Sequence, residues 1–418
     1  MSSEITAKLA GKTVLVTGGT GFIGGRLVER LALQNGVRVR ALVRSFTGAS
    51  RLGRFNIEMV CADLGNPAAV VDAVEGCDLV LHCAHETKVD RATGRLTLAD
   101  GTRNLCEAVL AAGNVRMVHL STSGVYGQTK DGDLREETPW QKDPHPYTAA
   151  KRETERLVLD YCGKKGLNAT VLQPTIVYGP YCRPWTHGPA RDLKRGIVPL
   201  VDGGNGLCNA VYVDDVVDAM VLAGVRSEAR AETFIISGPE PVTWRTFYGA
   251  FEKVLGIEST RAVTAADLQR VLEEQARAEK TWHKLLAWLR NPQVFWAIVK
   301  APPLGYLVEG LKRMLPKSRR ERIAKKVLLA KPRRARDQGP AEKELLVPNA
   351  TLLGLYRART NMRIDKARRL LGYQPHFDFE QGMRLTAEYL RWANLAPRAC
   401  EAPSTVTQQE RAARTEAA

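Results

Sequence analysis

From Lys12 to about Leu172, short β-branched runs alternate with longer stretches whose apolar residues recur at helical spacing. Six runs are too short for helices and are mostly bounded by turn or polar residues: Thr13–Thr17, Val37–Val43, Ile57–Cys61, Leu79–His82, Arg116–Ser121 and Ala169–Leu172. Strands that alternate with helices build a parallel sheet covered on both faces. Right-handed crossovers then bring all the strand C-termini to one edge, where ligands bind. The expected fold is α/β, a Rossmann-type doubly wound parallel sheet.

After Pro174 the rhythm loosens into loops rich in Gly and Pro, which reads as a smaller substrate-facing lobe. The pattern predicts a sheet domain over 8–175 completed by about 210–236, and a C-terminal substrate lobe from 176–209, 237–262 and 346–395. Between them, 263–345 reads as a helical basic insertion, and 396–418 as a polar, disordered tail.

Composition narrows the setting. A 418-residue chain with 44% hydrophobic residues can bury a large core. The first residues lack an apolar run of signal-peptide length, and no eighteen apolar residues follow one another without a charge, so a cytoplasmic protein is expected. Eight cysteines (61, 77, 83, 106, 162, 182, 208 and 400) include no C-x-x-C pair, which fits reduced thiols rather than zinc ligands. His82, His85 and His119 fall near strand ends, but their spacing matches no usual ligand set, so no metal is expected.

The net charge of +16 is concentrated: between Leu311 and Arg336 there are twelve Lys or Arg against Glu321 alone. With Trp282, Trp288, Phe295 and Trp296 just before it, the segment 282–331 suits a helix lying on an anionic membrane surface. A lid packed on the substrate lobe, with a solvated basic face, is the alternative. No nucleic-acid reading motif accompanies the charge, so no nucleic-acid partner is expected.

The strand ending at Thr17 runs into Gly18, Gly19, Thr20, Gly21, Phe22, Ile23 and Gly24, and a helix follows. Glycines there allow a tight turn and close approach to a pyrophosphate, whose charge meets the helix N-terminus. A dinucleotide cofactor, NAD or NADP, is expected. About twenty residues past the last glycine, where an acidic side chain would hold the ribose of NAD, stands Arg44, which favours the 2′-phosphate of NADP. Asp63, followed by Leu64 after the third strand, is either an adenine contact or a turn former.

Tyr147 and Lys151 are four apart, on one face of a helix. A phenol of pKa about 10 is a poor base at neutral pH, and a neighbouring ammonium favours its ionised form. Thr122, beyond the fifth strand, offers a hydroxyl to the same substrate oxygen; Ser121 and Ser123 flank it.

These residues resemble the extended short-chain dehydrogenase/reductase superfamily, the NAD-dependent epimerase/dehydratase group that includes 3β-hydroxysteroid dehydrogenase-like enzymes. Matching pieces are the glycine turn, His82-Cys83-Ala84, Thr122 with Tyr147, Pro174-Thr-Ile-Val-Tyr-Gly-Pro180, Val211-Tyr-Val-Asp-Asp215 and Lys366-Ala-Arg-Arg-Leu-Leu-Gly-Tyr373. The resemblance implies that Thr122, Tyr147 and Lys151 are catalytic and that Lys151 also holds the nicotinamide ribose. Cofactor contacts are expected from the glycine turn, Arg44, Asp63, Leu64, His82, Cys83, Ala84, Pro174, Thr175 and Val177. Ser123, Arg183 and Trp185 are candidates to touch a small-molecule substrate, with Trp185 equally readable as lobe packing, and a homodimer is left open.

The departures from that group bear on the substrate. The acid pair of 4,6-dehydratases, Thr-Asp-Glu-Val-Tyr-Gly, is here Thr122-Ser-Gly-Val-Tyr-Gly127, which disfavours water elimination. Ile176 and Cys208 stand where nucleotide-sugar members carry Asn and Arg, and Leu98 replaces an Asn. The reading is an NAD(P)-dependent oxidoreductase of a secondary alcohol or ketone. A nucleotide-sugar 4-epimerase is the alternative, and a catalytically silent dinucleotide sensor the third.

Overall fold

Every residue of β1 (Thr13–Thr17) is buried, as a strand covered on both faces must be. The computed structural model, which describes residues 7–34, 36–85, 97–127, 131–141, 146–290 and 343–397, sets this strand inside a seven-stranded sheet. Its companions are β2 (Arg38–Val43), β3 (Glu58–Cys61), β4 (Leu79–His82), β5 (Arg116–Leu120), β6 (Ala169–Pro174) and β7 (Thr233–Ile236). They run in the order β7-β6-β5-β4-β1-β2-β3, and each neighbouring pair is parallel. The chain steps outward from β1 to β2 and β3, then returns to the other side of β1 for β4. A crevice therefore opens beyond the C-terminal ends of β1 and β4, the switch point where doubly wound sheets take their ligands.

Side-chain alternation divides the core into two layers. Val14 and Val16 of β1 pack with Leu27, Val28 and Leu31 of α1 (Phe22–Ala32) and with Val216 and Met220 of α5 (Val213–Val225). Leu15, between them in sequence, joins the opposite layer with Val70 and Val74 of α2 (Pro67–Val74), Leu105 and Val109 of α3 (Thr97–Ala112) and Val158 of α4 (Pro146–Lys165). Each fully buried leucine of this kind contributes roughly 1.5–3 kcal/mol. A part-buried fork reinforces the first layer: Arg26 of α1 donates from Nε and Nη2 to the two carboxylate oxygens of Asp214 at 2.6 and 2.8 Å. The helix behind the glycine turn is thus anchored to α5.

The Val211–Asp215 motif has a second structural use. Asp215 is fully buried and accepts the backbone N–H groups of His376, at 2.7 Å, and of Phe377. Tyr373, also buried, donates to the Ser237 carbonyl at 2.8 Å. These bonds fasten the chain leading into α8 (Phe379–Trp392) onto the end of the sheet domain.

Outside the long sheet, short parallel pairs form: Ile176–Tyr178 with Ala210–Tyr212, Val198–Val201 with Thr260–Val263, and Gly132–Leu134 with Thr360–Met362. An aromatic cluster of Tyr178, Trp244, Phe247 and Tyr356 fills the space around α6 (Trp244–Leu255). The segment expected to be an insertion enters through α7 (Ala265–Arg290), while 291–342 and the tail from 398 lie outside the described residues. Among the described residues no helix is long and apolar enough to cross a membrane.

Candidate active site

β1 ends where the chain must turn sharply back into α1. Gly18 adopts φ +69°, and a Cβ there would lie 2.7 Å from the Ala84 nitrogen. Gly21 is the N-cap of α1, with no side-chain hydrogen bond and no acidic residue in the first turn. The helix N-terminus therefore keeps its positive end and its N–H groups available to an anion. This cradle, closed against side chains and open at a helix end, fits the pyrophosphate of a dinucleotide. Gly18, Gly19, Thr20, Gly21 and Gly24 form it, and Phe22 and Ile23 pack half-buried beneath.

His82, Cys83 and Ala84 run along the turn from β4. The Cys83 N–H bonds the Thr17 carbonyl at 3.1 Å, and the Ala84 N–H reaches the Thr17 hydroxyl at 3.3 Å. His82 is fully buried, with Nδ1 2.7 Å from Thr17 Oγ1 and Nε2 3.2 Å from Thr102 Oγ1. A neutral ring with the proton on Nε2 satisfies both bonds. His82 thus supports the turn from below, its ring nitrogens already engaged, while its neighbours' backbone lines the crevice.

The adenosine-side candidates lie on the rim. Arg44 is exposed just past β2. Asp63 accepts the Gly65 N–H at 2.7 Å through Oδ1, as a turn former does, and the Leu64 carbonyl receives Asn104 Nδ2 at 2.8 Å. On the other side, Thr175 is held by the Ile236 carbonyl through its N–H and donates its hydroxyl to Ser237 at 3.1 Å. Pro174 and Val177 are buried on either side of it.

Thr122 follows β5 in extended conformation and caps the short turn Ser123–Tyr126, accepting the Gly124 N–H at 3.1 Å. Burial of the phenol end raises the Tyr147 pKa, and a hydrogen bond with the Thr122 hydroxyl partly opposes that rise. Tyr147 keeps 40% of its surface open. One turn along α4, the Lys151 ammonium donates to the Leu120 carbonyl at 2.8 Å and is pulled down to about 8 by burial. The structure thus brings Thr122, Tyr147 and Lys151 together at one edge of the sheet.

Two further features escaped the sequence reading. His85, considered there only as a metal ligand, stands edge-on to the Tyr147 ring with centroids 4.9 Å apart, and burial lowers its pKa to about 4. A neutral imidazole therefore borders the phenol. Behind Lys151 lies a buried polar chain. Glu155 accepts Ser121 Oγ at 2.5 Å and Gln173 Nε2 at 2.7 Å, and Tyr126 donates to Gln173 Oε1 at 2.8 Å. The i, i+4 relation of Glu155 to Lys151 was a visible signal; the distant partners were not. Of the substrate candidates, Ser123 is half-buried, Arg183 is exposed, and Trp185 packs against Trp244 and Phe247 at 5.7 and 6.5 Å between centroids. For Trp185 the packing alternative describes its contacts.

The histidines under the site make stability depend on pH. Burial holds the His82 pKa down to about 3 and that of His119 well below its ordinary 6.5, while both regain ordinary values on unfolding. Neither ring nitrogen of His119 has a hydrogen-bond partner among the described residues. Below pH 6.5 the unfolded chain binds protons that the folded chain refuses, so stability falls as pH falls. Each histidine should remove about 1.5 kcal/mol between pH 6.5 and 5. Urea unfolding at both pH values should show a smaller loss in His119→Gln than in the unaltered protein; an equal loss would place the acid sensitivity elsewhere.

Comparison with known proteins agrees with this architecture. A model of the NAD dependent epimerase/dehydratase family matches residues 14–236. The 4-hydroxy-2-methyl-3-oxo-4-farnesyl-3,4-dihydroquinoline-1-oxide ketoreductase of Stigmatella aurantiaca is 27% identical over 292 residues, covering 68% of this chain and 84% of that protein. A dTDP-glucose 4,6-dehydratase of Streptomyces niveus is 36% identical over 251 residues, covering 55% and 74%. The crystal structure of a dTDP-glucose 4,6-dehydratase from Streptomyces venezuelae with NAD and TYD bound shares the fold, with a TM-score of 0.59 at 21% identity over 91% of this chain and 97% of that one. The chain belongs to the NAD-dependent epimerase/dehydratase family, enzymes of the extended short-chain dehydrogenase/reductase type.

Proposed function

We propose that this enzyme interconverts a secondary alcohol and a ketone on a biosynthetic intermediate, with Tyr147 as the acid/base. The observation that carries the reading is the Thr122 hydroxyl bonded to the Tyr147 phenol, four residues from a buried lysine and against His85, which follows directly on the Ala84 that closes on Gly18. When bound, the nicotinamide cofactor supplies the hydride acceptor or donor. In the oxidative direction Tyr147 takes the hydroxyl proton of the substrate; in the reductive direction it returns a proton to the carbonyl oxygen. Thr122 orients that oxygen, and the Lys151 ammonium would hold the nicotinamide ribose while its positive charge favours the ionised phenol. Gly18, Gly21 and Gly24 with the start of α1 would hold the pyrophosphate, and exposed Arg44, with no acidic residue in its place, favours NADP.

Three features favour this chemistry over sugar-nucleotide chemistry. Ser123 and Gly124 replace the acid pair that elimination needs. Cys208 is fully buried in a strand pair with Val242, and Ile176 is nearly so, so neither position offers a polar group to a substrate diphosphate. The Stigmatella relative is named a ketoreductase. Purified protein is expected to exchange its cofactor freely and to show a substrate-dependent absorbance change at about 340 nm, stronger with NADPH than with NADH. Tightly retained cofactor with no net turnover of added NAD(P)H would support a 4-epimerase instead.

A further inference from the structure

Lys151 is 4% exposed, and its ammonium gives a hydrogen bond to the Leu120 carbonyl. A buried charge needs an opposite one nearby or it loses its proton. Several titratable groups face it. His82 and His119 come from β4 and β5, Cys83 and His85 from the chain after β4, and Glu155 from its own helix. The three imidazoles are held neutral by burial. Burial pushes the Cys83 thiol up to about 12, so it too is neutral where Lys151 titrates. The Tyr147 phenol, one turn back on the same helix, is kept protonated by burial, so Glu155 is the acidic group that remains.

Its surroundings suit an anion. Glu155 is 1% exposed and receives two donors, the Ser121 hydroxyl and the Gln173 amide. Burial nevertheless raises the carboxyl to about 7, with Lys151 and Arg156 drawing it back down.

Resting on the reading of Thr122, Tyr147 and Lys151 above, we propose that Glu155 is the counter-charge of Lys151 and a positioning residue for the catalytic edge of β5. One carboxylate does both. Ser121 lies between Leu120, whose carbonyl receives Lys151, and Thr122, whose hydroxyl meets Tyr147. By accepting the Ser121 hydroxyl, Glu155 fixes the short segment that presents both groups, and once ionised its charge helps the ammonium hold its proton.

The test needs no substrate. Full-length protein labelled with [13Cε]lysine is titrated by NMR, and the Lys151 signal is identified by its loss in Lys151→Arg. Glu155→Gln preserves size, removes the charge and keeps one of the two accepting oxygens, and should lower the Lys151 midpoint by between about half and about two pH units. Glu155→Asp should bring it back toward the original value. Ser121→Ala, which removes one hydrogen bond and keeps the charge, should leave the midpoint in place. An unchanged midpoint in folded Glu155→Gln would overturn the proposal and leave Glu155 a packing residue. If Glu155→Gln does not fold, a midpoint in Glu155→Asp as low as that expected without charge overturns it equally. Normal turnover in Tyr147→Phe would sink the catalytic reading yet leave this lysine titration standing, so the two failures are distinguishable.

Discussion

Tyr147→Phe is expected to lower turnover by roughly 10³-fold or more while leaving cofactor affinity within about threefold of the unaltered enzyme. The substitution removes one oxygen and keeps the ring, so the edge-on contact with His85 survives. What is lost is the group that gives or takes the proton as the carbonyl forms or is reduced. Because Tyr147 is the base in the oxidative direction, the rate of alcohol oxidation should rise with pH as the phenol ionises. The Phe variant should lack that rise. Thr122→Ala should cost less, because it removes an orienting hydroxyl and the bond that favours the phenolate but leaves the phenol itself. The discriminating measurement pairs turnover with cofactor binding followed by fluorescence. Retained turnover in Tyr147→Phe would move the acid/base role to another group.

Much of the fold is legible in the sequence because local pattern and tertiary burial agree there. β1 and β4 occupy the residues that the apolar runs predict, since both are covered on two faces and cannot slip without exposing Val14 or Leu81. β6 runs two residues past the predicted Leu172, through Gln173 and Pro174, because β7 pairs with it there, opposite Ile235 and Ile236. A partner some sixty residues away carries no local signal. The same reason separates the site residues that spacing could reveal from those it could not. Tyr147 and Lys151 share a helix face, and the glycines share a turn. Ser121, Tyr126, Gln173 and Glu155 meet only once β5, β6 and α4 are assembled. His82 shows the converse: its position beside the turn was readable, but not that both ring nitrogens would be occupied by Thr17 and Thr102.

Gly24→Ala is the second large effect, and it acts on the cofactor site without removing any functional group. A Cβ at this position would lie 2.3 Å from the Gly18 carbonyl oxygen and 2.8 Å from its carbon. Both are backbone atoms, so no side chain can rotate away. Gly18 has little room to yield: it turns at φ +69° beside the Ala84 backbone, close enough that even a Cβ would not fit between them. The remaining escape is for α1 to move off the turn, which strains the Arg26–Asp214 fork that ties the helix to α5. The expected result is a loss of stability of about 2 kcal/mol or more, read by urea unfolding. Cofactor affinity should fall at least about 100-fold in calorimetric titration, because the helix N-terminus no longer faces the pyrophosphate position. Gly19→Ala is the internal contrast. Its Cβ would meet only the side chains of Ala41, Val28 and Leu52, at 3.4 Å or more, so folding stability should be nearly unchanged. Equal stability and affinity in Gly24→Ala would mean that α1 can leave the turn at no cost, and that close packing of Gly24 on Gly18 is not what shapes the cradle.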